Sequence, residues 1–323
     1  MIRALQTDSA PAATQPDAAL AAPVPAVQSI GAPALEAPES RSGTLAALRG
    51  EIDALDDALH DLLMRRAAVV ARLAGSRAKA QGAPSPLRPG REATILRRLL
   101  ARHAGPLPPA ALIRLWREIF AAGSALQASF GVAVFARGPG CAQLAREHFG
   151  TLTPLRSHPT PSRALAAVAA GEAQVAVLPL PEEDDPADSV WWTGLDSPRL
   201  QVVARLPFWS SAPGPEALAV ALGAADPSGA DRTLLRLDLR SEAGAGRGRA
   251  RILDALAAAG LPPRLLQLHR DEGLLRALAE VDGAVAADDP RLAALPVDRV
   301  LPLGRYAVPF RDAAGPHEPG EPS

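Results

Sequence analysis

A chain of 323 residues exceeds one ordinary domain and predicts two or three. Apolar residues make up 48% but aromatics only 3%, so the cores must be built from Leu, Val and Ala. A formal net charge of −1 lacks the basic excess of a general nucleic-acid or anionic-membrane binder, and the single cysteine, Cys141, excludes an intramolecular disulfide and any Cys-rich metal site. The expectation is a cytoplasmic protein with no nucleic-acid or membrane partner, no metal and no cofactor.

Residues 1–41 are rich in Ala and Pro and lack the charged start and continuous apolar core of a signal peptide. Scattered prolines forbid a long helix, so the segment reads as a disordered tail. A helix is predicted over 44–80, with Thr44 as its N-cap. At more than 30 residues it is too long for an ordinary globular helix and implies a bundle or an intertwined partner. Gly82, Pro84, Pro86 and Pro89 make Gln81–Pro89 a loop. A second helix follows from Gly90 to His103, with Ile95, Leu96, Leu99 and Leu100 on its inner face. Gly105-Pro-Leu-Pro breaks it, and Pro109 sits where a first-turn proline is tolerated, starting a third helix from Ala110 to about Ser129. One long and two short helices cannot enclose a core alone; a homodimer that pools its helices solves this.

After Phe130 the period changes. Val132-Ala-Val-Phe reads as a buried strand, Cys141–Phe149 as a helix, and Thr153–Ser157 as a strand. Thr160-Pro-Ser opens a helix to Glu172, and Gln174-Val-Ala-Val-Leu-Pro is a further strand. That alternation predicts a βαβαβ unit with a parallel sheet. Strands are also expected at Leu200–Leu206, Leu218–Leu222, Thr233–Leu239, Arg264–His269 and Val281–Ala286, with a helix over Arg249–Ala259. The boundaries read as tail 1–41, helical domain 42–129, α/β lobe 130–215, small α/β domain 216–310 and a second tail 311–323. No apolar run reaches the ~20 residues needed to cross a bilayer.

The first predicted helix carries Arg49, Arg66 and Arg77 beside an apolar seam of Leu48, Ile52, Leu55, Leu59, Leu62, Leu63, Val69, Val70 and Leu73. Arg66 and Arg77 are 11 residues apart, close to three full turns, and so share a face. A lone arginine in such a place ordinarily snorkels into solvent. Several beside a packed seam can instead form a pocket for a small dianion.

The run Leu45-Ala-Ala-Leu-Arg-Gly-Glu-Ile-Asp-Ala-Leu-Asp-Asp-Ala-Leu-His-Asp-Leu-Leu-Met-Arg-Arg resembles the opening of the all-helical chorismate mutase family. The resemblance continues through Arg88-Pro-Gly-Arg-Glu-Ala-Thr-Ile-Leu-Arg-Arg-Leu to Gln127 and covers a little over a quarter of the chain. It implies a three-helix domain in an intertwined dimer that rearranges chorismate to prephenate in aromatic amino-acid biosynthesis. Arg66 and Arg49 match carboxylate-binding arginines, the latter reaching in from the partner subunit. Arg77 falls where the family has a lysine to a carboxylate and the ether oxygen. Arg91 and Glu92 match a pair whose glutamate binds the ring hydroxyl, and Gln127 matches the residue facing the ether oxygen; a neutral amide there needs no acid pH. Two positions depart from the pattern: Gly123 occupies the place of a substrate-binding serine, with Ser124 one residue later, and Arg88 stands where an acid is expected a turn before Arg91.

The strands and helices after Phe130 resemble the first lobe of prephenate dehydratase, and Asp231-Arg-Thr-Leu-Leu-Arg-Leu the opening of its regulatory domain. Pro215-Glu-Ala-Leu-Ala-Val-Ala-Leu lacks the threonine and arginine of the dehydratase motif, and too little chain separates Pro181 from Pro213 for a complete second lobe. The expected role of the C-terminal half is therefore non-catalytic: support of the dimer, or binding of an aromatic amino-acid effector. Gly138-Pro-Gly140 invites a dinucleotide reading, but no acid ends the next strand near His158. His148, His158 and His269 show no metal-ligand spacing, Trp191-Trp192 is expected to pack against the lobe, and Cys141 at a helix start is placed for a lowered pKa. Two other functions stand beside the mutase: an isochorismate-pyruvate lyase on the same helical frame, and a catalytically dead module serving a shikimate-pathway enzyme.

Overall fold

The computed structural model describes residues 41–78, 87–135, 140–240, 245–271 and 273–311. The expectations for both tails, apart from Arg41, which is helical, and Arg311, which is in a strand, lie outside them, as do those for most of the Gln81–Pro89 loop and for Gly138-Pro139. The chain divides into two compact units, one ending at Ala58 and one beginning at Leu59. In the first, residues 41–58 are helical and those from Thr44 to Ala58 are exposed.

Three helices open the described chain: α1 (Arg41–Ala78), α2 (Pro89–Ala101) and α3 (Pro109–Ala125). Proline occupies the first position of α2 and α3, where its missing N–H costs no bond and its fixed φ suits the helix. On α3 the buried residues Leu112, Ile113, Arg117, Phe120, Gly123 and Ser124 recur at helical spacing and form one stripe.

The α/β region follows with β1 (Val132–Phe135), α4 (Gly140–Phe149), β2 (Leu155–His158), α5 (Pro161–Ala169) and β3 (Val175–Pro179). Both β2 and β3 pair with β1 in parallel, as the βαβαβ reading requires. Thr160 caps α5, its hydroxyl accepting from the Arg163 N–H at 3.2 Å. On β3, Val175 and Val177 face one core cluster while Ala176 and Leu178 face another, so both faces are covered. That two-sided burial is why the strand reads as an unbroken apolar run. Trp191 and Trp192 are buried in one of these clusters, as expected.

Next come β4 (Leu200–Leu206), β5 (Trp209–Ser210), β6 (Ala217–Leu222), β7 (Asp231–Arg240), α6 (Ala245–Ala258), β8 (Pro263–Asp271), β9 (Leu274–Asp282), α7 (Pro290–Ala293), β10 (Arg299–Ala307) and β11 (Phe310–Arg311). Nine strands form one sheet in the order β2-β1-β3-β6-β4-β10-β7-β9-β8. Its halves meet where Gly304 of β10 pairs with Val202 of β4. Gly304 has φ +144°, and a Cβ there would lie 2.2 Å from the Val202 carbonyl oxygen, so only glycine fits this crossing. The strand expected at Val281–Ala286 is in fact β9, which starts at Leu274 and ends just before Gly283.

Glu280 of β9 is wholly buried and paired with both Arg205 and Arg232. A fourth cluster joins the helices to the sheet: Ala93, Leu96, Ile113 and Phe120 pack with Phe208 and Ala307. This contact fixes α2 and α3 against the α/β region.

Candidate active site

Arg66 of α1, Arg91 and Glu92 of α2, Gly123 of α3 and Gln127 just beyond it all line one cleft of about 690 Å³. Its apolar wall is made by Val69, Val70, Leu73, Ile95, Trp116 and Phe120. The groups of α2 and α3 stand on or beside each helix's buried stripe, whereas α1, with no buried residue among those described, contributes its half-buried Arg66. Glu92 immediately precedes buried Ala93, and Gly123 lies three residues beyond buried Phe120.

Arg66 is half-buried, its guanidinium 5.9 Å above the Phe120 ring and its Nη1 donating to the Ile119 carbonyl at 3.4 Å. Burial, and then the like charge of Arg91, hold its pKa below the ordinary arginine value, while Glu92 acts in the opposite sense. Two guanidinium groups that repel each other across a partly desolvated cleft favour an anion between them.

Glu92 has its side chain 15% exposed and accepts from Arg117 Nη1 at 2.9 Å. Burial pushes its carboxyl above the ordinary range; Asp226 adds to that, and Arg117 and Arg66 counter it. Arg117 is itself buried beneath the cleft, and burial lowers its pKa although Glu92 partly restores it. Arg117 went unremarked in the sequence, yet a signal existed. It stands in the apolar stripe of α3 between Ile113 and Phe120, where an arginine must have an acidic partner.

At Gly123 an added Cβ would lie 3.7 Å from Arg66 Nη1 and 3.9 Å from Val70 Cγ1, ordinary contact distances. The position therefore points at Arg66, and Ser124 is buried and lines the same cleft. Gln127 donates its side-chain N–H to the Gly123 carbonyl at 2.9 Å. Arg49 lies in the first unit and is exposed. Arg77 lies in α1, but its side chain is outside the described residues.

The other candidate groups do not converge. Cys141 is buried and its thiol is pushed up by that burial, the reverse of the expectation for a helix start. His148 is buried, and desolvation with the nearby Arg117 holds it well below the usual imidazole value. Among the described residues, no group of three or more His, Cys, Asp or Glu side chains could hold a metal ion.

The family model described as chorismate mutase type II matches residues 48–128. A bifunctional chorismate mutase/prephenate dehydratase of Pseudomonas aeruginosa is 32% identical over 140 residues, covering 42% of this chain and 38% of that relative. The chain thus spans well under half the length of the curated relative it matches. Among solved structures, a prephenate dehydratase from Streptococcus mutans is 15% identical, with a TM-score of 0.40 over 56% of this chain and 99% of that one. A protein described as GqqA, a novel type of quorum quenching acylase, is 19% identical, with a TM-score of 0.43 over 55% of this chain and 94% of that one. Structural likenesses this loose carry no weight for function.

Proposed function

We propose that this chain, which carries a chorismate mutase type II domain at residues 48–128, converts chorismate to prephenate in its α1–α3 cleft. The observation that carries the reading is the convergence of Arg66 and Arg91 with Glu92, Gly123 and Gln127 on one cleft with an apolar wall. A substrate with two carboxylates, a ring and a hydroxyl fits that chemistry. The reaction is pericyclic and needs no nucleophile, metal or general acid. The site has to hold the enolpyruvyl side chain over the ring and set cations where charge develops on the breaking ether bond.

In this proposal Arg66 binds a carboxylate through its planar fork, and Arg91 lends a second charge. Glu92, ionised, accepts the ring hydroxyl, and Arg117 holds it in place from below. Gln127 turns from the Gly123 carbonyl toward the ether oxygen when substrate enters. Arg77 supplies a further cation, and Arg49 reaches in from a second copy of the chain.

A homodimer belongs to the same proposal. In the first unit Leu45, Leu48, Ile52 and Leu55 are each about half exposed; in the second so are Leu59, Leu62, Met64 and Val69. Water on such a row is costly, at roughly 25 cal/mol per Å² of apolar surface. The α/β region is proposed as dehydratase-like but without dehydratase activity, and as the binder of an aromatic amino-acid effector. A cytoplasmic location fits the set; among the described residues no helix is long and apolar enough to cross a membrane.

Product analysis tests the reading. Purified protein given chorismate should yield prephenate, converted to phenylpyruvate only by added acid. Given isochorismate, release of salicylate and pyruvate at a rate exceeding chorismate turnover would replace the mutase with the lyase. Titration with phenylalanine should show saturable heat and a change in chorismate turnover; no heat would remove the effector.

A further inference from the structure

Helix α2 carries Arg91 and Glu92 in its first turn, yet its own preceding residue, Arg88, supplies no side-chain cap. The cap comes from the α/β region. Asp226, in the turn between β6 and β7, has its side chain 15% exposed and aims both oxygens at the start of α2. Its Oδ1 accepts from the Gly90 N–H at 2.9 Å, and its Oδ2 from the Arg91 N–H at 2.9 Å and from Arg88 Nε at 3.1 Å. Three donors on one carboxylate, two of them backbone groups, fix the direction of the helix end as well as satisfy it.

The surroundings hold this contact closed. A Cβ on Gly90 would fall 2.0 Å from the Asp226 carbonyl oxygen, so the two backbones meet directly. Two turns further on, Arg97 donates to the carbonyls of Ser228, Ala230 and Val308 at 2.8–3.0 Å. The turn is thereby gripped along α2, and Arg88, whose charge Asp226 holds, lines the cleft itself.

We propose that Asp226 is a positioning residue for the cleft, fixing the first turn of α2 so that Arg91, Glu92 and Arg88 face the substrate. The inference rests on the mutase reading, and it makes the α/β region a structural part of the mutase site. Arg88, standing where an acid was expected, is itself paired with Asp226. Asp226 touches no substrate in this scheme. Its effect therefore belongs to binding by Arg91 and Glu92, and so to KM.

The test is steady-state kinetics of chorismate turnover by the full-length chain, for the parent, Asp226→Ala and Asp226→Asn. Asp226→Ala should raise KM at least ~10-fold while kcat changes less than ~3-fold. Asp226→Asn, whose single amide oxygen can accept from only one of the two backbone N–H groups and cannot hold the Arg88 charge as firmly, should recover part of that affinity and give a KM between those of the parent and Asp226→Ala. A merely structural residue would lower the active fraction, so that kcat falls and KM stays; that pattern would overturn the proposal, as would parental constants in both variants. Should Asp226→Ala fail to fold, the KM of Asp226→Asn decides alone. A folded parent that does not turn over chorismate would instead remove the mutase reading, an outcome distinct from either.

Discussion

At Glu92 opposing forces are finely set against each other. Burial and Asp226 raise its pKa, while Arg117 and Arg66 lower it. If the ionised form receives the substrate hydroxyl, kcat/KM should fall on the acid side with a midpoint above the ordinary carboxylate range. Arg117→Met removes a lowering influence, so the acid limb should move toward neutral pH; an unmoved limb would detach Glu92 from catalysis. The same change leaves a carboxylate buried without its partner and should cost about 3–5 kcal/mol in urea unfolding. Gly123 offers a gain in place of a loss. Ordinary contact distances surround the missing Cβ, which would face Arg66. Gly123→Ser should lower KM several-fold and stabilise α3 by about 0.5 kcal/mol, serine being the better helix former. A raised KM would mean the added side chain blocks the cleft.

Among the elements, α2 depends most on its surroundings. Alanine ordinarily favours a helix over glycine by about 1 kcal/mol, but at Gly90 the Cβ would strike the Asp226 carbonyl oxygen. Gly90→Ala should therefore destabilise the protein and raise KM together, as a thermal melt and kinetics would show. The three helices were legible in sequence because their signals are local: prolines at the starts of α2 and α3, breakers between the helices and an apolar period of 3.6. β1 and β3 were legible because both faces are buried and the apolar run is unbroken. β9 was misplaced because Leu274-Leu-Arg-Ala-Leu-Ala-Glu-Val is composed like a helix, and only its pairing with β7 and β8 makes it a strand. β10 was missed since Pro302 and Gly304 interrupt it, and the need for glycine there comes from Val202, far away in the chain. At the site, Arg66, Arg91 and Glu92 could be read from spacing. Arg117 could have been read from its place in an apolar stripe, whereas nothing local announces Asp226, 136 positions from Gly90.

Across the whole molecule, a buried charge network joins the two halves of the sheet, from β4 to β7 and β9. Glu280 lies wholly buried between Arg205 and Arg232. Glu280→Ala should remove the carboxylate that Arg205 and Arg232 share, leaving Arg205 only Glu216 and Arg232 only Asp282, and cost about 3 kcal/mol, so a lower urea midpoint is expected and near-parental stability would contradict it. Assembly is the other property at this scale. The exposed leucines of α1 predict a dimer at micromolar concentration, and Leu62→Glu should yield monomers with little turnover. The account's central claim is that the α1–α3 cleft is an arginine-built chorismate site, and kinetics of the parent and Arg66→Ala in parallel test it most directly. Prephenate formation by the parent with a loss of at least ~100-fold in kcat/KM for the variant, about 2.7 kcal/mol, is the predicted result. Equal turnover by the two proteins, or none by a folded parent, would contradict it.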